Sequence, residues 1–141
     1  MINNKMKISV SFRIVEDKLD PLEISKLLNL NPDVAHKKGD PNIVITKKGK
    51  VLIRSHYNTG MWSLNKIANE EGDLSHEIAK LLQDLYPRRK ELLALFNLGY
   101  VMDVFCGVFI YDVEQPGFAI EPKVLKMLGE LNIKFSLCMY N

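Results

Sequence analysis

Few side chains in this chain are of types and at spacings that could do chemistry. There are three histidines, His36, His56 and His76, and two cysteines, Cys106 and Cys138. A zinc site needs several His, Cys or carboxylate ligands at short fixed offsets, and no HxxxH, HxH or CxxC pattern occurs. His36 lies in a loop and His56 just past a strand-like run, so the two could converge in space. His76 falls in the first turn of a helix, where exposure is the simpler reading. A Cys nucleophile needs a base that lowers its pKa, and nothing at a recognisable offset supplies one to Cys106. Both cysteines sit in strand-like runs, where a free thiol behaves as a small apolar side chain.

The remaining candidates concern binding. Lys37-Lys38-Gly39-Asp40 has the composition of an anion-holding loop, with Gly for close backbone approach and Lys for charge. It lacks the phosphate-loop spacing, and no strand runs directly into it, so a plain turn is the favoured alternative. Trp62, close to Arg54 and Tyr57, could stack on a ligand or anchor a partner, although a single Trp in a strand is more often core. The binding candidates are therefore Arg13, His36, Lys38, Arg54, Trp62 and Tyr140. No catalytic residue, metal ligand set or cofactor follows from the pattern, since GxSxG, GxGxxG and a Cys-His arrangement are all missing.

The elements that must position these residues are readable from periodicity. Met6, Ile8, Val10, Phe12 and Ile14 alternate with Lys7, Ser9, Ser11 and Arg13, which predicts a half-buried strand. Asp20-Pro21 starts a helix whose stripe is Leu22, Ile24, Leu27, Leu28 and Leu30, and Asn31-Pro32 stops it. Residues 31–42 read as loop. Ile43–Thr46 and Val51–Ser55 form a hairpin around Lys47-Lys48-Gly49-Lys50. A strand-like run follows at Met61–Leu64. Asp73 or Ser75 caps a helix reaching Tyr86, Pro87 breaks it, and Arg88–Leu98 continues to a cap at Gly99. Val101–Tyr111 is apolar on both parities, which suits a central strand or one whose second face meets a partner. Glu114-Gln115-Pro116-Gly117 turns the chain. Glu121-Pro122 opens the last helix, and Ile133, Phe135, Leu137 and Met139 alternate with Lys134, Ser136, Cys138 and Tyr140. The two acidic-Pro helix starts hint at two similar halves.

The expected fold is α+β: a two-layer sandwich of ferredoxin-like strand–helix–strand units, with helices on one face of a mainly antiparallel sheet. At 141 residues, 47% hydrophobic and 26% charged, the chain suits one domain spanning 1–141 that needs neither disulfides nor metal to fold. Residues 1–60 carry 11 Lys and Arg against 6 Asp and Glu, and residues 61–141 carry 8 against 11. That polarity can steer a charged partner, yet neither half is basic enough for nucleic acid. No apolar run approaches the ~20 residues of a membrane span, and no signal peptide is legible at the N-terminus, so the expected location is cytoplasmic.

The order of certain residues also resembles a known family. Phe12-Arg13-Ile14 precedes Leu19-Asp20-Pro21-Leu22-Glu23-Ile24-Ser25-Lys26-Leu27-Leu28. Pro32, Ala35 and Lys38-Gly39-Asp40 follow, then Gly60-Met61-Trp62-Ser63, then Gly117-Phe118-Ala119-Ile120 before the last helix. From about Ser9 to the C-terminus this resembles the bacterial domain-of-unknown-function family numbered 4279. The resemblance implies a fold unit and little chemistry, with a similarity in role to accessory or immunity proteins of bacterial toxin systems.

Ser9, Ser11, Arg13, Lys134, Ser136, Cys138 and Tyr140 would share the sheet face turned away from the helices. Simple solvation is one reading of that face. The other is a binding surface, or a homodimer interface if the second apolar parity of 101–111 lies there too. The expected function is thus a binding module with a protein partner. The alternatives are a small-molecule-sensing dimer and, weakest, a small enzyme using His36, His56 or Cys106.

Overall fold

Alternation in the first segment produces the strand that organises the molecule. In the computed structural model, which describes residues 6–67, 73–110 and 117–140, β1 (Met6–Glu16) is the middle of five strands. The others are β2 (Val34–His36), β5 (Gly60–Ile67), β6 (Val101–Ile110) and β7 (Lys134–Tyr140), in the order β2-β5-β1-β6-β7. All neighbours are antiparallel except β6 and β7, which are parallel. A second sheet holds only the hairpin β3 (Pro41–Ile45) and β4 (Val51–His56).

Helix α1 (Pro21–Leu28) carries β1 over to β2, α2 (Leu74–Leu85) and α3 (Arg89–Asn97) carry β5 to β6, and α4 (Pro122–Glu130) carries β6 to β7. The path β1-α1-β2-β5-α2/α3-β6, with β5 between β2 and β1, is the ferredoxin-like core expected from the sequence. Right-handed crossovers place these helices on one side. They bury Ile24, Leu28, Ile78, Leu81, Leu82, Leu85, Leu92, Leu95, Val124 and Leu128 against Val10, Phe12, Ile14, Val104, Cys106 and Val108. Each such side chain contributes roughly 1.5–3 kcal/mol by leaving water.

Local signals explain the helix ends. The Asp20 carboxylate accepts the Leu22 N–H at 3.1 Å, and Pro21 occupies the first turn. Arg88 clamps the far end of the same helix, donating to the Leu28 and Asn29 carbonyls. Asp73 caps α2, while the Ser75 hydroxyl instead donates to the Ala119 carbonyl and accepts the Glu121 N–H at 2.7 Å, tying the start of α4 to α2. Pro87 breaks the helix through one 3₁₀ turn, Tyr86–Arg88, and Gly99 takes φ +93° after α3, as the spacing predicted.

Two expectations change. Residues 34–36 are an edge strand, too short for alternation to reveal. The expected hairpin forms, and it stands outside the main sheet. The likeness of the two acidic-Pro starts stops at the cap: α1 spans a crossover with β5 in between, whereas α4 joins adjacent strands, and Glu121 makes no side-chain cap. The turn expected at 114–117 falls, but for Gly117, outside the described residues. No helix among the described residues is long and apolar enough to cross a membrane.

Candidate functional site

With the helices on one side, every second residue of β1, β5, β6 and β7 faces the other. The register lines them up in rows across the sheet: Val34, Ser63, Arg13, Asp103 and Lys134; then Asn65, Ser11, Phe105 and Ser136; then Ser9, Gly107 and Cys138; then Lys7, Phe109 and Tyr140. The polar parity of β1 and β7 and the second apolar parity of β6 therefore share one open face.

Arg13 anchors one end. Its guanidinium donates two hydrogen bonds to the Asp103 carboxylate, at 2.9 and 2.6 Å, and stacks 4.4 Å over the Phe105 ring. The Asp103 side chain is almost wholly buried and Arg13 about one-third exposed. The hydrogen bonds to Asp103 raise the Arg13 pKa further above its ordinary value, outweighing desolvation, so the cation is permanent. Beside it the Ser63 hydroxyl donates to the Asn65 side-chain carbonyl at 2.7 Å, and Asp33 accepts the Asn65 N–H at 2.7 Å.

Phe109 and Tyr140 form the other end, stacked at 4.7 Å with 14° between their planes. The Tyr140 phenol titrates above its usual range, first because of its hydrogen bond with Cys138, so it stays neutral at physiological pH. Between the two ends Gly107 is closely flanked by Ser9, Phe109 and Tyr140. A Cβ there would lie 3.2 Å from the Ser9 hydroxyl and 3.5 Å from the Tyr140 ring. The strip from Arg13 to Tyr140 runs over six residue steps of β1, from Arg13 to Lys7, roughly 20 Å.

The other candidates fall elsewhere. Trp62 is wholly buried on the helix side, edge-on to Phe12 at 6.3 Å, with its indole N–H donating to Ser25 at 3.0 Å. Its parity on β5, opposite Ile14, is what takes it out of the binding set. Arg54 projects from the hairpin, and Tyr57 stacks on His36 at 3.5 Å, so the expected Arg54–Tyr57–Trp62 cluster does not form. His36 lies on the open-face parity of β2, at the sheet's far edge. Lys38 pairs with Asp17 at 3.2 Å, Lys37 approaches Asp20 at 3.9 Å, and the backbone N–H groups of Lys37 and Gly39 are taken by Asp40 and Tyr57. With those N–H groups committed, this segment is a turn.

The catalytic alternative loses its geometry as well. Cys106 faces the helices, where burial, with a contribution from Asp103, pushes its thiol up to about 12. His36 sits three strands away on the opposite face, more than about 20 Å distant. His56 belongs to the separate hairpin. No group of three His, Cys, Asp or Glu among the described residues could hold a metal ion.

Sequence reasoning missed Asp103 and Gly107 as parts of the site. The signal was available: both are poor strand formers placed inside an otherwise apolar strand.

Comparison with known proteins gives one match. The model of a family described as Domain of unknown function (DUF4279) covers residues 5–141, which bears out the resemblance read from the sequence. No curated protein and no solved structure matches the chain.

Proposed function

We propose that this chain, which belongs to the DUF4279 family, is a binding module that takes a protein partner on the open face of its sheet. The observation that carries the reading is the strip running from the Arg13–Asp103 pair, with Arg13 over Phe105, to the Phe109–Tyr140 stack. Arg and Tyr are the side chains that most often anchor interfaces, and here both are held in place before any partner arrives. A strip roughly 20 Å long matches an extended segment or a protein surface better than a small molecule. An accessory or immunity role in a bacterial toxin system is the specific form of this reading.

The test is site-specific photocrosslinking in cells that natively make the chain. Benzoylphenylalanine replacing Tyr140 should give one discrete adduct, abolished by Arg13→Ala. The same group replacing Leu125, exposed on α4, should give none. Identical adduct patterns from both positions would remove the open face as the recognition surface.

A further inference from the structure

The β3–β4 hairpin is the most exposed apolar structure among the described residues. Ile43, Ile45, Val51 and Ile53 occupy one of its faces and are 55%, 69%, 61% and 62% exposed. Val44 and Leu52, on the other face, are 37% and 43% exposed, so that side is already partly covered. A two-stranded hairpin is at best marginally stable alone in water, and this one leaves its most apolar face bare. The uncovered face offers roughly 450 Å² of apolar surface, the scale at which patches on monomers become interaction sites.

We propose that this hairpin is a dimerisation arm, its Ile43, Ile45, Val51 and Ile53 face packing antiparallel on the same face of a second copy of this chain. The face is made of β-branched side chains, the kind that pack sheet on sheet. Two such faces together bury about 900 Å², below the ~1,200 Å² of the smallest stable interfaces, so the dimer belongs to the weak class that forms at micromolar concentrations. Charge sets the direction. The tip carries Lys47, Lys48 and Lys50, none of which forms an ion pair within the chain among the described residues. A parallel pairing would bring six ammonium groups together. A twofold antiparallel pairing separates the tips and sets each beside the partner arm's base, where Asp40 precedes Pro41. The same lysines argue against tip-first insertion into a bilayer, because the apolar band lies behind the charged end. This arm is separate from the open face proposed for the protein partner.

Sedimentation equilibrium of the full chain from about 1 to 100 μM tests the proposal. Wild type should approach twice 16.2 kDa across that range. The Ile45→Glu/Ile53→Glu variant should dissociate at least about 100-fold more readily, with its far-UV circular dichroism unchanged because the hairpin is outside the core. Should that variant fail to fold, Lys47→Glu/Lys48→Glu is the second probe: reversing the tip charge beside Asp40 should also weaken the dimer. A Phe109→Ser/Tyr140→Ser variant should dimerise as wild type does. Three outcomes overturn the arm: a monomeric wild type at 100 μM, a dimer indifferent to both hairpin variants, or a dimer lost only in the open-face variant.

Discussion

Replacing Arg13 and Asp103, singly and together, measures how firmly the open face is organised before a partner arrives. Arg13→Ala removes two charge-assisted hydrogen bonds and the cation over Phe105, and leaves the Asp103 carboxylate buried without a partner. Hydrogen bonds to charged groups contribute about 1.5–3 kcal/mol, and breaking a fully buried pair costs about 3–5 kcal/mol. Arg13 is one-third exposed, so water screens part of this and the expected loss is about 3 kcal/mol. Asp103→Ala should cost less, about 2 kcal/mol, because the freed guanidinium can turn toward water while the deleted group was the buried one. At about 3–4 °C per kcal/mol for a chain of this length, Arg13→Ala lowers Tm by about 10 °C. Urea titrations of the wild type, both single variants and the double variant give the coupling energy, expected at about 1.5–2 kcal/mol. Arg13→Lys should recover less than half of the loss, since an ammonium cannot reproduce the two-pronged contact. A coupling under about 0.5 kcal/mol, or a costlier Asp103→Ala than Arg13→Ala, would mean that the pair is solvated and the face not preorganised.

Other consequences follow from the same packing. Gly60→Ala would set a Cβ 2.6 Å from the Glu16 carbonyl and 2.9 Å from the Leu19 Cβ, so about 2–3 kcal/mol should be lost, whereas Gly117→Ala, with nothing within 4 Å, should be neutral in the same thermal melt. Arg88→Ala should cost about 1–2 kcal/mol and speed amide exchange at the end of α1, whose Leu28 and Asn29 carbonyls it holds. Cys106, its thiol pushed up to about 12, should resist iodoacetamide at pH 8 in the native protein while half-buried Cys138 reacts. A thiol kept neutral in the folded state stabilises fully below its ordinary pKa near 9.0, so that contribution fades as pH rises from there toward about 12, and Cys106→Ala should flatten the alkaline loss seen in a pH series of melts.

The strands and helices were legible wherever a single face is buried. β1 alternates cleanly, and α1 announces itself through Asp20-Pro21 and a stripe of leucines; β7 alternates in sequence although Leu137 and Met139 are left exposed. β2 was hidden because three residues at a sheet edge, all at least partly exposed, carry no period. The hairpin was found, but not its detachment: Ile43, Val44, Ile45, Leu52 and Ile53 look like interior strand residues, and only the tertiary fold leaves them in water. Trp62 illustrates a parity problem. Its neighbours Arg54 and Tyr57 are close in sequence, yet pairing with Ile14 turns the indole inward. Arg13 and Tyr140 were placed on the correct face by alternation alone, whereas Asp103 needed the register that sets it directly across from Arg13.

That register carries an argument about β6 itself. A strand between two others, packed on the core by Met102, Val104, Cys106 and Val108, would be more stable with β-branched or aromatic residues at every outward position. Instead it has Asp103 and Gly107, both depleted in strands, at outward positions that alternate with Phe105 and Phe109. Asp103 is tolerated because Arg13 satisfies it, and Gly107 because larger groups on both sides close around it. Neither arrangement improves the core, which lies on the other side of the sheet. Both shape the open face, one by locking a cation over an aromatic ring and the other by letting Ser9 close in beside the Phe109–Tyr140 stack. A sheet that merely had to be soluble on that side would be served as well by Ser or Thr throughout. The row containing Gly107 is therefore where a substitution should separate binding from stability. Gly107→Ala places a methyl 3.2 Å from the Ser9 hydroxyl, a contact that side chain can relieve by rotating, and should hardly move Tm while reducing the crosslink from position 140. An unchanged crosslink with a lowered Tm would return Gly107 to a packing role.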